Sequence, residues 1–95
     1  MKLKWLPRAT VDRQAQIAYI ARDNVRAAIE QGDRIAGQVA ELIDNPKMGR
    51  PGRKPGTREL VIHRTPFIVI YRIKGGLIEL LRLLHGAQQW PPPEK

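Results

Sequence analysis

The chain has 95 residues, a formal net charge of +8 and no cysteine. Its length suits one small domain over residues 1–95, and the absence of cysteine excludes a disulfide framework and a thiolate zinc site. No stretch reaches the roughly 18 apolar residues of a membrane helix, and residues 1–7 are not followed by the apolar run of a signal peptide. We therefore expect a cytoplasmic protein with no membrane partner.

The first half of the chain predicts a strand followed by a helical hairpin. Residues 2–6 alternate between charged and apolar side chains, as a strand does. Residues 8–22 repeat apolar side chains at helical spacing, and Asp23-Asn24 breaks the pattern and suits the cap of a second helix, which should end before Pro46. The expected apolar stripes are Val11, Ala15, Ala18 and Tyr19 in the first helix, and Ala28, Ile35, Val39, Leu42 and Ile43 in the second.

A basic loop is predicted next, at residues 46–56. Three prolines, three glycines and four cations in this segment are incompatible with regular structure. Loops carry functional residues more often than the elements that they connect, so this loop is a candidate contact surface.

Three strands are predicted in the second half, at residues 57–63, 67–73 and 77–85. Gly75-Gly76 is a two-residue turn signal between the last two, and residues 88–95 form a C-terminal tail that contains Trp90. The element order predicts an α+β fold: an N-terminal strand, a two-helix hairpin and a three-stranded antiparallel meander. The helices should pack on one face of a twisted four-stranded sheet.

The positive charge is concentrated in the second half of the chain. Residues 8–45 contain five basic and six acidic residues, whereas residues 46–85 contain nine basic residues and only two acidic ones, Glu59 and Glu79. A field of this kind attracts a polyanion such as a nucleic acid or an acidic protein segment. We expect Arg50, Arg53, Lys54, Arg64 and Arg82 to contact RNA or a protein partner.

Several short sequence segments, in their order along the chain, resemble the RelE/ParE superfamily of toxins from type II toxin–antitoxin modules. The resemblance covers nearly the whole chain and depends on the ordered set rather than on one motif. The segments are Asn45-Pro46 with Gly49-Arg50, Gly56-Thr57-Arg58-Glu59-Leu60, Ile70-Tyr71-Arg72, the last strand Ile78 to His85, and Gly86 to Pro91.

The resemblance implies a protein that is toxic when free and is neutralised by an acidic, partly disordered antitoxin. RelE-type members cut mRNA in the ribosome, where a 2′-hydroxyl attacks the adjacent phosphate. This chemistry needs proton transfer and cations that stabilise the charge on phosphorus. Histidine and arginine suit these two roles, so His85, Arg58 and Arg72 are the candidate catalytic residues. No cofactor and no metal are expected.

A two-residue turn at Gly75-Gly76 would place Arg72 opposite Glu79, and a three-residue loop at residues 64–66 would place Arg58 opposite Arg72. In this register Arg58, Arg72, Glu79 and His85 share one face of the sheet, and Arg82 points to the other. A shift of one residue would reverse these assignments.

One position departs from the pattern of RNA-cutting members, several of which carry an arginine three residues before the tyrosine of the central strand. This chain has Ile68 there. The resemblance therefore leaves two activities open: ribosome-dependent mRNA cleavage, which the sequence slightly favours, and a ParE-like inhibition of DNA gyrase by binding, without hydrolysis. A basic nucleic-acid-binding module with no toxicity is a third, weaker alternative.

Overall fold

The computed structural model describes residues 1–86 and 90–91, which contain two α-helices and five strands. No helix in this part of the chain is long and apolar enough to cross a bilayer. The strands are β1 (Lys2–Trp5), β2 (Arg50–Pro51), β3 (Arg58–Val61), β4 (Phe67–Lys74) and β5 (Leu77–His85), and the helices are α1 (Pro7–Ala21) and α2 (Val25–Ala40), with a 3-10 turn at Glu41–Ile43.

The strands form one sheet in the order β1-β5-β4-β3-β2. β1 lies parallel to β5, and β3, β4 and β5 form the expected antiparallel meander. The sheet has five strands rather than the predicted four, because Arg50-Pro51 pairs with Arg58-Glu59. A hydrogen bond of 2.7 Å from Gly52 N–H to Thr57 O folds the basic loop back and creates β2. The prediction that residues 46–56 lack regular structure was therefore wrong at these two residues.

The second helix agrees with its prediction. The Asn24 side chain caps α2 by accepting a hydrogen bond of 3.0 Å from Ala27 N–H. Four of the five predicted apolar positions are buried, and Ile43 is 39% exposed.

The first helix turns a different face to the sheet from the one predicted. Val11 and Tyr19 are 58% and 68% exposed, whereas Ala9 is buried and Ile17 and Ile20 pack against the core. Asp12 makes hydrogen bonds to β5, and the Arg13 guanidinium lies 4.4 Å from the centroid of the Trp5 ring. The first helix therefore buries the stripe of Ala9, Ile17 and Ile20, which the prediction did not include.

Both helices pack on the same side of the sheet, where the core forms around Ile35, Val39, Val69, Tyr71 and Leu83. The opposite side carries alternate residues of the same strands, and we call it the helix-free face. Its members include Glu59, Ile70, Arg72, Glu79 and Arg82.

The predicted register was correct near the turn and wrong further from it. Arg72 pairs with Glu79 as predicted. A bulge at Leu81 then shifts the pairing, so that Ile70 lies opposite Arg82 and Phe67 lies opposite His85. Arg82 is therefore on the helix-free face and His85 is on the helix-packed side, the reverse of the prediction for both.

A second shift affects β3. The loop before β4 has four residues rather than three, since Ile62 N–H bonds to Phe67 O. Arg58 consequently lies opposite Tyr71, not Arg72. The predicted row of Arg58, Arg72 and Glu79 on one face was wrong, because Arg58 points to the helix-packed side.

Candidate functional site

Two arginines of the basic loop are bound to a buried carboxylate. The Glu59 side chain is 1% exposed and accepts hydrogen bonds from Arg50 Nη2 at 3.1 Å and from Arg53 Nε at 3.0 Å. The Arg53 backbone N–H also donates to it, at 2.9 Å. Glu59 thus holds the loop against the helix-free face. Arg50 and Arg53 keep about half of their side chains in solvent.

The charge of Glu59 is stabilised by this arrangement. Burial alone would raise the pKa of Glu59, but the Arg53 backbone N–H and the two guanidinium groups outweigh burial and hold the pKa below its ordinary value of 4.5. Glu59 therefore stays ionised and keeps both arginines in place at neutral pH.

The other end of the loop is fixed from the helix-packed side. The Tyr71 hydroxyl donates to Pro46 O at 2.8 Å and accepts from Gly49 N–H at 2.9 Å. Arg58 donates through Nη1 to Gly49 O at 2.7 Å and to Lys47 O at 3.3 Å. Burial raises the pKa of Tyr71 above 10.0, so the hydroxyl keeps its proton. Arg58, a predicted catalytic residue, here braces the loop.

A second group of charges surrounds Glu79. Arg72 Nε lies 2.6 Å from Glu79 Oε1, and this hydrogen bond lowers the pKa of Glu79 despite its partial burial. The charges of Lys74 and Lys4 lower the pKa further. Three cations thus share one carboxylate on the helix-free face, which leaves the group positively charged.

Arg82 forms a two-point ion pair with Asp12 of α1, and Leu83 N–H donates to the same carboxylate at 3.0 Å. The Arg82 guanidinium and Lys54 Nζ also lie 5.8 and 5.9 Å from the centroid of the Trp90 ring. The rest of the predicted tail, residues 88, 89 and 92–95, lies outside the described residues.

The remaining predicted residues lie at the far end of the sheet. His85 ends β5, with its ring 6.2 Å from that of Phe67 in an edge-on arrangement. Arg64 adopts a positive φ of 63° in the loop before β4, and its carbonyl accepts from Arg34 Nη1 at 3.3 Å.

The structure does not bring the three predicted catalytic residues together. Arg72 lies on the helix-free face, whereas Arg58 and His85 lie on the helix-packed side. Their partners in β4, Tyr71 and Phe67, are four residues apart, which corresponds to about 13 Å along a strand. Proton transfer and charge stabilisation require groups within about 3 Å of one reacting centre, a spacing that these three do not meet.

The family model described as "ParE toxin of type II toxin-antitoxin system, parDE" matches residues 3–90. This chain belongs to the ParE toxin family. A protein named "Putative toxin Y4kP", from Sinorhizobium fredii (strain NBRC 101917 / NGR234), is 40% identical over 90 residues, which cover 95% of this chain and 93% of that protein.

A solved structure supports the same assignment. A chain of the "Chromosomal ParDE TA system from P. aeruginosa" superposes with a TM-score of 0.79 at 34% identity and covers 87% of this chain and 92% of that chain. The expected resemblance to RelE/ParE toxins is confirmed, and the match lies on the ParE side of the superfamily.

The two faces of this ParE-family toxin differ in charge. The cations placed on or beside the helix-free face are Lys2, Lys4, Arg50, Arg53, Lys54, Arg72, Lys74 and Arg82. In the part of the chain that the structure describes, the carboxylates pointing to this face are Glu59 and Glu79. Six of the nine cations in the predicted positive half, residues 46–85, therefore lie on or beside the helix-free face, whereas Arg58 lies on the helix-packed side.

Three cations of this surface, Lys2, Lys4 and Lys74, were missed from the sequence as functional candidates, and so was Asp12 of α1, which orients Arg82. The alternation of β1 and β4 carries the signal for the lysines, but only the parallel pairing of β1 with β5 shows that they share one side. Nothing in the sequence links Asp12 to a strand 70 residues away.

Proposed function

We propose that this ParE-family toxin inhibits DNA gyrase by binding, without hydrolytic chemistry, and that a cognate acidic antitoxin neutralises it in the cytoplasm. The family shows that the chain is the toxin of a ParDE-type module, which implies an antitoxin partner. Gyrase as the target is the finer proposal. It follows from the resemblance to ParE-like rather than RelE-like members.

The observation that carries the binding mechanism is the separation of Arg58, Arg72 and His85. Each of the two arginines has a structural partner: Arg58 braces two loop carbonyls, and Arg72 is paired with Glu79. Ile68 occupies the position where several RNA-cutting members carry an arginine. Ribosome-dependent mRNA cleavage, which the sequence slightly favoured, has no assembled set of groups to support it among these residues.

The test is a supercoiling assay with purified toxin, gyrase, ATP and relaxed plasmid. We expect the toxin to stop supercoiling or to accumulate cleaved plasmid, and an equimolar amount of the cognate antitoxin to reverse the effect. In parallel, toxin is added to a translating extract and the mRNA ends are mapped.

Unaffected gyrase together with new mRNA ends would overturn the proposal and restore the cleavage mechanism. Unaffected gyrase with intact mRNA would exclude both targets. Intact mRNA with inhibited gyrase is the expected combination.

A further inference from the structure

The helix-free face carries more positive charge than its own carboxylates neutralise. Glu59 is shared by Arg50 and Arg53, and Glu79 lies among Arg72, Lys74 and Lys4. Lys4 and Lys74 are exposed and form no salt bridge within residues 1–86 and 90–91. Each carboxylate orients its arginines while the cluster keeps a net positive charge.

These clusters lie at separate places on one sheet. Lys4 is in β1 and Arg50 is in β2, the two edges of the five-stranded sheet. Four strand spacings separate them, or about 19 Å. A DNA duplex presents one phosphate charge about every 1.7 Å of its axis, so this span would meet several phosphates at once.

The same face offers little to an apolar partner. Ile70 and Leu84, which point to this side, are 0% and 3% exposed. Among the large apolar side chains that are exposed in the described residues, Val11, Tyr19, Val25 and Ile29 belong to the helices, and Val61 points to the helix-free side. The fully buried core of a protein interface is more apolar than the surrounding surface, whereas binding to backbone phosphates is dominated by cations.

We propose that the helix-free face binds the backbone phosphates of duplex DNA, so that the toxin contacts the DNA held by gyrase as well as the enzyme. This inference rests on the proposed function for its biological meaning. The binding itself is a property of the toxin and is measurable without gyrase. DNA binding depends on contacts from Lys4, Lys74 and the pairs Arg72–Glu79 and Arg50–Glu59.

The test is fluorescence anisotropy of a labelled duplex of about 20 base pairs, titrated with purified toxin at several salt concentrations. About four phosphate contacts give a slope of log affinity against log salt of about −3.6, which is a loss of about 150-fold for a fourfold increase in salt. Lys4→Glu with Lys74→Glu should reduce the slope to about −1.8, because two contacts are lost. We expect at least a tenfold loss of affinity at low salt.

The matched control is Arg22→Glu with Arg26→Glu, which changes the net charge equally at exposed positions of the helical hairpin. It should keep the slope and lose less than threefold in affinity. Equal losses in both double variants, or binding that does not depend on salt, would overturn the proposal. If the charge reversals lower the melting temperature, Lys4→Gln with Lys74→Gln replaces them, with the same criterion for the slope.

Two competitors identify the ligand class. Polyglutamate that displaces the duplex as well as unlabelled DNA of equal charge would assign the face to acidic protein segments instead. An RNA duplex that binds more than tenfold tighter would assign it to RNA. Failure of the wild-type toxin to bind the duplex, with gyrase inhibition intact, would overturn this inference alone. Salt-dependent DNA binding by the wild-type toxin with unaffected gyrase would support it and overturn the proposed function.

Discussion

Asp12 and Arg82 join the first helix to the last strand through two hydrogen bonds, at 2.7 Å between Oδ2 and Nε and at 3.2 Å between Oδ1 and Nη2. Both side chains are less than one fifth exposed. Asp12 also accepts from Leu83 N–H, beyond the residues of β5 that pair with β1. One carboxylate therefore satisfies the open edge of the strand and fixes a cation of the helix-free face.

Replacing Asp12 with alanine should lower the free energy of unfolding by about 2 kcal/mol, because a partly buried guanidinium and a backbone N–H lose a charged acceptor. Urea unfolding followed by circular dichroism measures the loss. Asp33→Ala is the control, since Asp33 is exposed on α2 and should change stability by less than about 0.5 kcal/mol. Equal effects of the two substitutions would show that the Asp12–Arg82 pair contributes nothing.

The Glu59 carboxylate should matter most for the basic loop. Glu59→Gln keeps the shape but removes the charge, so that Arg50 and Arg53 lose their common partner. We expect a loss of about 2 kcal/mol in stability and faster tryptic cleavage after Arg53. The bond after Arg50 precedes Pro51 and resists trypsin. The two arginines are about half exposed, which keeps the cost below that of a fully buried broken pair. If trypsin cleaves the basic loop of the folded variant at the same rate as that of the wild type, this account of Glu59 is contradicted.

The contribution of Glu59 should also depend on pH in a defined direction. Its folded-state pKa lies below the ordinary 4.5, so the stabilisation is present above about pH 4.5 and is lost as the pH falls through the folded-state pKa. The difference in unfolding free energy between wild type and Glu59→Gln should therefore be constant near neutral pH and shrink below about pH 4.5. If the difference in unfolding free energy grows as the pH falls, the folded-state pKa of Glu59 is raised rather than lowered.

Gly49 and Gly37 offer a matched pair of glycine tests. A Cβ at Gly49 would lie 2.7 Å from the Tyr71 hydroxyl and 2.9 Å from Glu59 O, within a hydrogen-bonded and buried contact, whereas one at Gly37 would meet nothing within 4 Å. Gly49→Ala should therefore destabilise the fold by about 2 kcal/mol or more, because the basic loop must move away from Tyr71 and lose the hydrogen bond to its hydroxyl. Gly37→Ala should stabilise α2 by up to about 1 kcal/mol. Thermal unfolding of both variants checks the opposite signs.

The sequence was sufficient for the order of the elements other than β2, and insufficient for which face of the sheet each residue occupies. Residues 77–85 are correctly a strand, but Leu80, Leu81, Leu83 and Leu84 carry no alternation from which a bulge could be located. The bulge reverses Arg82 and His85. One extra residue in the loop before β4 reverses Arg58 in the same way.

The predicted orientation of α1 was wrong for a related reason. Val11 and Tyr19 repeat at helical spacing, yet both lie in solvent, and Ile17 and Ile20 pack against the core instead. Asp12, on the same helix, is bound to Arg82 of β5. The Asp12–Arg82 pair joins residues 70 apart in the chain, so local periodicity does not reveal it. The concentration of charge in residues 46–85 was visible at once, because composition does not depend on register.

Two histidines separate a binding mechanism from a catalytic one. His85 is exposed at the end of β5 and His63 is exposed in the loop before β4. A general acid or base contributes about 10²- to 10⁴-fold to a rate, so His85→Ala in an RNA-cutting toxin should lose activity by that factor. In a gyrase-binding toxin both His85→Ala and His63→Ala should keep toxicity within about threefold. The measurement is the inducer concentration that halves the growth rate, together with the toxin concentration that halves gyrase supercoiling. Melting temperatures show whether either variant is merely unfolded, and the loss of the Phe67 ring contact makes this check necessary for His85.

A hundredfold loss of toxicity confined to a folded His85→Ala variant would establish a chemical role for His85 and contradict inhibition by binding alone.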